Sequence, residues 1–580
     1  MRQLIKRLFL AGLLTFSVIA CQTNQLAVTT SAEAPAASAV IRYQTVHHPV
    51  YGKKGMVVSQ NHIATQVGQQ ILSQGGNAID ASVAMGFVLA VTLPRAGNLG
   101  GSGFMLIHDA DTKNNTALDF RSAAPKAAAA PNALRDADGE LRWADMTHGP
   151  QAPGVPGTVA GLYQAWQQFG SMPWDTLLQP ALDLATDGIF VTHDLAFALQ
   201  AASKVLIRFP GSATAYLKPD GSSYQAGEHF KQPDLAWSIQ AIMAQGGDAF
   251  YEGLVGQRIV EHMEEVGGFI TQQDLSDYQV RVREPVVGEY RGYTVVTQPP
   301  VSAGGVTLLQ MLNTLEHFDL KSLGANSAAS LHIIAEVMKQ AAANRRFGLG
   351  DPDFVSVPIS TIVGPDIAKH MASQVNLSLA TPVSDIKPVD TQIYESPNTT
   401  HYSVMDKEGN AVATTYTLGH SFGSGFVVPG TGILLDNQIR NFTYNQDNHS
   451  NAIAPGKRML STMTPTLVLK PDDTVYMVTG TPGGGRIINV ILQVIINVID
   501  HDLNLAQATH QPRIHQAWRS ANLGLETGIG IDTRRLLENL GHVLETHQTM
   551  GSVQSILYKA GVFHGAADPR RPGALALGLD

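Results

Sequence analysis

The chain has 580 residues, of which 44% are hydrophobic and 15% charged, and its formal net charge is −9. That balance carries no basic excess, so it argues against a nucleic-acid partner. No apolar run reaches the roughly 20 residues a bilayer-spanning helix needs. With Gly 55 and Pro 30 the chain must also make many tight turns.

The first residues do not belong to the fold. Arg2, Lys6 and Arg7 precede an apolar run from Leu8 to Ala20, the pattern of a secretory signal over residues 1–20. The run ends Val18-Ile19-Ala20-Cys21, which resembles the lipobox of bacterial lipoproteins, with Cys21 as the lipidated residue. Gln22 after it resembles lipoproteins sorted to the outer membrane of Gram-negative cells, an anchor facing the periplasm. Cys21 is the single cysteine of the chain, so no intramolecular disulfide framework exists. Residues 21–45 are rich in Ala, Ser, Thr and Pro and read as a flexible tether.

From Val46 onward the pattern is that of a folded chain. Ile63 to Ser73 is helical in spacing and stops at Gly75-Gly76. Asn77 is placed to cap a second helix, Ala78 to Leu93, apolar all round and therefore expected to be fully buried. Phe104–His108 and Thr116–Arg121 read as a hairpin that brings Arg121 to a strand end. The middle of the chain is helical with loops; Gly154 to Gly157, Pro299 to Leu312 and Gly348 to Pro352 read as scaffold and turns.

A second hairpin is written more clearly. Thr400 to Met405 and Ala411 to Leu418 are rich in β-branched and aromatic residues around Asp406-Lys407-Glu408-Gly409-Asn410. A three-residue loop with Gly409 in the left-handed position pairs Val404 with Val412 and, carried outward, Thr399 with Thr417. Opposed Cβ atoms lie about 4.5–5.5 Å apart, so two threonine side chains meet at the open end. Gly419-His420-Ser421-Phe422-Gly423 then matches a nucleophile elbow in letters, but the glycine-rich stretch after it cannot start the helix an elbow requires. Gly432 to Asn437 reads as a strand, with Gln438 just past it. Thr466–Lys470 and Val475–Thr479 form a hairpin around Pro471-Asp472-Asp473. Gly480-Thr481-Pro482-Gly483-Gly484-Gly485 feeds an apolar helix, Arg486 to Ile499. Such a turn gathers backbone N–H groups at a helix start and suits an anion, yet it lacks the Lys-Ser/Thr of a phosphate-binding loop. His501, His510 and His515 fit no common zinc spacing, and no metal is expected.

The wording at these places resembles the γ-glutamyltranspeptidase family: Asn398-Thr399-Thr400-His401-Tyr402-Ser403-Val404 before the Asp-x-x-Gly-Asn turn, GGNAIDASVA at 75–84, GNLGGSGFM at 97–105, and the glycines before Arg486. The resemblance implies an N-terminal-nucleophile hydrolase with a four-layer αββα sandwich, two sheets covered by helices. It implies a cut at Asn398–Thr399, giving a large subunit 46–398 and a small subunit 399–580 that stay together as a heterodimer. Thr399 would be the nucleophile, its new α-amine the base, and Thr417 its holder. Gly483 and Gly484 would bind the oxyanion, while Arg121, Ser461 and Thr462 would grip the donor's α-carboxylate, and Gln438 would be a further substrate-binding residue. No cofactor is implied. The partners would be a glutathione-like γ-glutamyl donor and water or an amine acceptor.

Several positions depart from the family's usual residues. Ser122 replaces Glu after Arg121, Asp436 replaces Asn, Gly419 replaces Asn, and Asn441 stands where an acidic residue reads the donor's ammonium. Arg440 adds a like charge, and Asp436 is placed by strand alternation to compensate. The segment between Phe442 and Lys457 is shorter than a lid-bearing member's. A glutaryl-type (cephalosporin) acylase on the same fold and a non-catalytic surface lipoprotein are the alternatives.

Overall fold

In the computed structural model the residues flanking the Asp406–Asn410 turn pair as antiparallel strands Thr400–Asp406 and Ala411–Thr417. The register is the one read from the turn: Val404 faces Val412 and Thr400 faces Tyr416, which sets Thr399 opposite Thr417. The Asp406 carboxylate accepts from the N–H groups of Gly409 and Asn410, and Gly409 adopts φ +98°, where a side chain would be strained. Both strands are buried along their whole length. The structure describes residues 45–345, 348–386, 399–518 and 520–580; the leader, Cys21, most of the tether and Asn398 lie outside them.

A hairpin buried on both faces needs a layer on each side. It is the middle of a seven-stranded antiparallel sheet ordered Leu575–Gly578, Gly55–Ser59, Thr400–Asp406, Ala411–Thr417, Ser102–His108, Asn115–Phe120, Arg281–Arg283. A second seven-stranded antiparallel sheet runs Val50–Gly52, Val562–Ala567, Gln554–Lys559, Val475–Thr479, Thr466–Leu469, Tyr293–Thr297, Val286–Tyr290. Alternation along each strand assigns its side chains to layers. Met56, Leu106, Met405 and Ala413 of the first sheet pack on Leu467, Val478 and Ile556 of the second. Val57, Met105, Val404 and Val412 face the other way, onto the helices His62–Ser73, Ala78–Thr92, Thr158–Phe169 and Pro233–Gln245. Val295, Val468 and Met477 do the same for Gly304–Leu315, Ala328–Asn344 and Arg486–Ile499. The architecture is the four-layer αββα sandwich of the N-terminal-nucleophile hydrolase type.

Local signals fixed the covering helices well. Asn77 caps Ala78–Thr92 through a capping box with Asp80, and all residues of that helix are buried. Such a cap is worth about 1 kcal/mol. The strand expected at Gly432–Asn437 is corrected to a two-residue pairing, Ile433–Leu434 with Val427–Val428. Positive φ at Gly423, Gly425, Gly430 and Gly432 breaks the ladder into turns. Beyond it the backbone is satisfied piecemeal: Asp436 N–H donates to Gly100 and Asn437 N–H to Leu418. Gln438 therefore opens a 3₁₀ turn, Gln438–Asn441, rather than ending a strand. Among the described residues no helix is long and apolar enough to cross a membrane.

Candidate active site

The space between the two sheets opens where strand Thr400–Asp406 begins and strand Val475–Thr479 ends. His401 and Ser403 point into that space. His401 Nδ1 lies 2.8 Å from Thr415 Oγ1, its Nε2 lies 3.0 Å from Ser403 Oγ, and Ser403 donates to the Gln554 carbonyl across the gap. Burial pushes the His401 imidazolium down to about 3, so the ring is neutral and structural. One step further out, Thr399 Oγ1 donates to Thr417 Oγ1 at 3.3 Å, and Thr417 Oγ1 accepts the Gly419 N–H at 2.9 Å. Both threonines are 4% exposed and line a cavity.

Facing them is the glycine turn. Gly483 and Gly484 have φ +142° and +58°, and among the described residues neither N–H has a hydrogen-bond partner. Their carbonyls are used instead: Gly483 accepts from Arg486 and Gly484 from Ile487, the first turn of helix Arg486–Ile499. Gly484 lines the cavity. Two unpaired N–H groups at a helix start, beside a hydroxyl, form an oxyanion-type site. Thr462 fixes it by donating its hydroxyl to the Gly484 carbonyl at 3.0 Å. Ser461, also at the cavity, accepts the Met463 N–H on its Oγ.

Arg121 enters from the end of strand Asn115–Phe120 and is 1% exposed. Its guanidinium donates to the carbonyls of Met459 and Leu460 and to Ser102 Oγ. Burial lowers it to about 10, against the opposing pull of Asp436 and Asp119. Ser122, which replaces Glu after Arg121, donates its Oγ hydrogen to Asp436 Oδ2, and Asp436 Oδ1 accepts the Gly154 N–H at 2.9 Å. Gln438 Nε2 donates to Ser102 Oγ at 2.7 Å and to Asp436 Oδ2 at 2.8 Å. Asp436 is not among the residues that line the cavity, and both its oxygens accept hydrogen bonds from within the protein. Arg440 is likewise directed elsewhere, donating to Thr147 Oγ1 at 3.1 Å. Asn441 does line the cavity.

The structure thus brings Thr399, Thr417, Gly484, Arg121, Gln438, Asn441, Ser461 and Thr462 to one cavity, with Gly483 in the adjoining turn. Ser102, Ala303 and Arg345 were not singled out from sequence. Ser102 was within reach, because it pairs with Thr417 in the next strand of the sheet. Among the described residues lining the cavity there is no Asp or Glu, and no residue of 443–452 covers it. Ser421 is followed by turns leading to Val427–Val428, not by a helix, which removes the nucleophile-elbow reading. His501, His510 and His515 do not converge. Among the described residues the one triad of possible metal ligands is His332, Glu336 and His542, where Glu336 already holds Lys339 at 2.7 Å.

A family model of gamma-glutamyltranspeptidase matches residues 64–578. The chain is 44% identical over 546 residues to a glutathione hydrolase proenzyme of Escherichia coli (strain K12), covering 92% of this chain and 93% of that one. In structure it is similar to a cephalosporin acylase from Bacillus halodurans, with TM-score 0.83 and 26% identity over 93% of this chain and 98% of the acylase. It is also similar to the Helicobacter pylori gamma-glutamyltranspeptidase, with TM-score 0.56 and 39% identity over 60% of this chain and 97% of that chain.

Proposed function

Because the chain belongs to the γ-glutamyltranspeptidase family, we propose that it cuts itself between Asn398 and Thr399 and then takes γ-glutamyl groups onto Thr399. The observation that carries this is the meeting of the Thr399–Thr417 hydroxyl pair, the unpaired glycine N–H groups and Arg121 at one cavity. The E. coli relative is a proenzyme, which supports the cut. Once freed, the Thr399 α-amine has a pKa near 7.7–8.0 and can take the hydroxyl proton at neutral pH. The Thr399 Oγ1 attacks the γ-carbonyl of a donor such as glutathione. The oxyanion is received by the N–H groups of Gly483 and Gly484, each such donor being worth about 2.7–4 kcal/mol of barrier. Collapse expels the amine, which takes that proton from the Thr399 α-ammonium, and leaves an ester on Thr399, which water or an acceptor amine resolves. Arg121 pairs with the donor's α-carboxylate, a bidentate role its guanidinium suits; Ser461 and Thr462 stand beside it.

One observation favours a second donor class. The described lining of the cavity offers two guanidinium groups, Arg121 and Arg345, but no carboxylate, so a glutaryl group, which has no ammonium, fits there too. We also propose that Cys21 is lipidated and that the enzyme works on the periplasmic side of a bacterial outer membrane.

The test is the chain itself. Purified protein should run as two chains, the smaller beginning Thr-Thr-His-Tyr, and should release p-nitroaniline from γ-glutamyl-p-nitroanilide. Thr399→Ala should remain full length and inactive. If that variant still splits at the same bond, an outside protease makes the cut and the nucleophile assignment fails.

A further inference from the structure

Gln438 lines the cavity, and its Oε1 is buried with no partner in the protein. Which end of the amide faces the donor is decided by its neighbours. The nitrogen end meets the Thr417 carbonyl at 3.3 Å and Asp436 Oδ2 at 2.8 Å. Neither oxygen can donate, so the NH₂ must lie there and the oxygen must be the free end. Asp436 is the nearer of the two and the stronger acceptor. Four donors converge on its carboxylate: the Ser122 hydroxyl, the Gly154 N–H, the Gln438 N–H and the Gln438 side chain. A carboxylate has about four lone-pair sites and can satisfy all of them.

We infer that Asp436 is a positioning residue that decides donor preference: it holds the Gln438 amide with its oxygen toward the donor's ammonium, without touching the donor itself. The inference rests on the γ-glutamyl reading above. Asparagine at 436 has the same shape but one NH₂. Placed toward Gln438, that NH₂ opposes the Gln438 NH₂ and removes its nearer acceptor, leaving the longer contact with the Thr417 carbonyl to hold the amide's oxygen toward the ammonium. Placed the other way, it opposes the N–H groups of Gly154 and Gln438. A donor without an ammonium is indifferent to either outcome.

Protonation imitates the substitution. Burial raises the Asp436 carboxyl to about 6, while hydrogen bonds from Ser122, Gly154 and Gln438 and the Arg121 charge pull the other way. Arg121 is the charged group facing it; Ser122, Gly154 and Gln438 are neutral. Deprotonated above that pH, the carboxylate orients Gln438; protonated below it, the acceptor is lost.

The experiment compares γ-glutamyl-p-nitroanilide with glutaryl-p-nitroanilide on the processed enzyme. Asp436→Asn should raise KM for the γ-glutamyl donor by about tenfold to a hundredfold, the size of one hydrogen bond to a charged group. KM for the glutaryl donor should stay within about twofold, and kcat for both should hold. In the wild type, which needs no variant to fold, the γ-glutamyl KM should rise relative to the glutaryl KM as pH falls through about 6. The Thr399 amine acts on both donors alike and cancels from that ratio. Equal shifts in KM for both donors, or a ratio flat with pH, would overturn the inference. Failure of the processed wild type to turn over the γ-glutamyl anilide would instead overturn the underlying reading, and the inference with it.

Discussion

Position 441 is where a carboxylate can be added to the donor site with least disturbance. Asn441 ends the turn Gln438–Asn441, is 8% exposed and lines the cavity, while its carbonyl is anchored by Asn451 Nδ2 at 2.7 Å. Asn441→Asp keeps the shape and adds a charge. A carboxylate about 4 Å from an ammonium, at an effective dielectric constant of about 20, gains about 4 kcal/mol. Desolvating the new charge offsets part of that, so a net gain of about 1.5–3 kcal/mol is expected, or tenfold to a hundredfold at 1.36 kcal/mol per decade. The assay is kcat/KM for γ-glutamyl and glutaryl anilides in both proteins. In the wild type, with Gln438 Oε1 as the ammonium's acceptor and no carboxylate among the described lining residues, the ratio should stay below about 10³. In Asn441→Asp it should rise by the factor above. A wild type that already rejects glutaryl donors by more than about 10³, together with no change in the variant, would refute the reasoning, since about 4 kcal/mol of discrimination needs a carboxylate elsewhere.

Further outcomes are expected at the anchor, the inter-sheet space and the glycine turn. Cys21→Ser should release the protein from membranes with activity intact; unchanged membrane association would end the lipoprotein reading. His401, buried neutral with its pKa held at about 3, cannot take the proton that the unfolded chain accepts near 6.5, so it removes stability as pH falls below that value, by up to about 2 kcal/mol at pH 5. His401→Asn should lower the thermal midpoint at pH 7.5 yet flatten its decline toward pH 5, and parallel declines would show that His401 is not the group responsible. Gly480→Ala places a Cβ 2.1 Å from the His401 ring, so the strand Thr400–Asp406 and the glycine turn must part. A displacement of about 1 Å can cost about 10²-fold in rate, and an unimpaired kcat/KM would show that the two elements are not rigidly coupled.

What could be read from sequence was whatever is settled within a few residues. The Asp406–Asn410 turn fixes the register that opposes Thr399 and Thr417, and Asn77 fixes a helix start; both are hydrogen bonds between near neighbours. The run Gly432–Asn437 misled because apolar alternation is also what a glycine-broken loop looks like when it passes through an interior. The donor site was hidden for a different reason: its decisive contacts join distant segments. Ser122 and Asp436 are separated by 314 positions, and Ser102 and Gln438 by 336. Two substitutions that look independent along the chain, Ser122 and Asp436, form one hydrogen-bonded pair in space. The same holds for phrases that carry no chemistry of their own. Asp119 accepts the Arg121 N–H and pairs with Arg283, whose guanidinium also reaches Asp351 and Asp353. Asp351, in the Gly348–Pro352 turn, accepts the Arg458 N–H and so holds the segment whose Met459 and Leu460 carbonyls grip Arg121. Breaking one partner of a buried ion pair costs about 3–5 kcal/mol, so this network resists the rotation of Arg121 that binding and release of a carboxylate would otherwise invite. The scaffold phrases are therefore part of the site: they keep a buried guanidinium aimed at a cavity whose walls, among the described residues, supply no carboxylate to aim it.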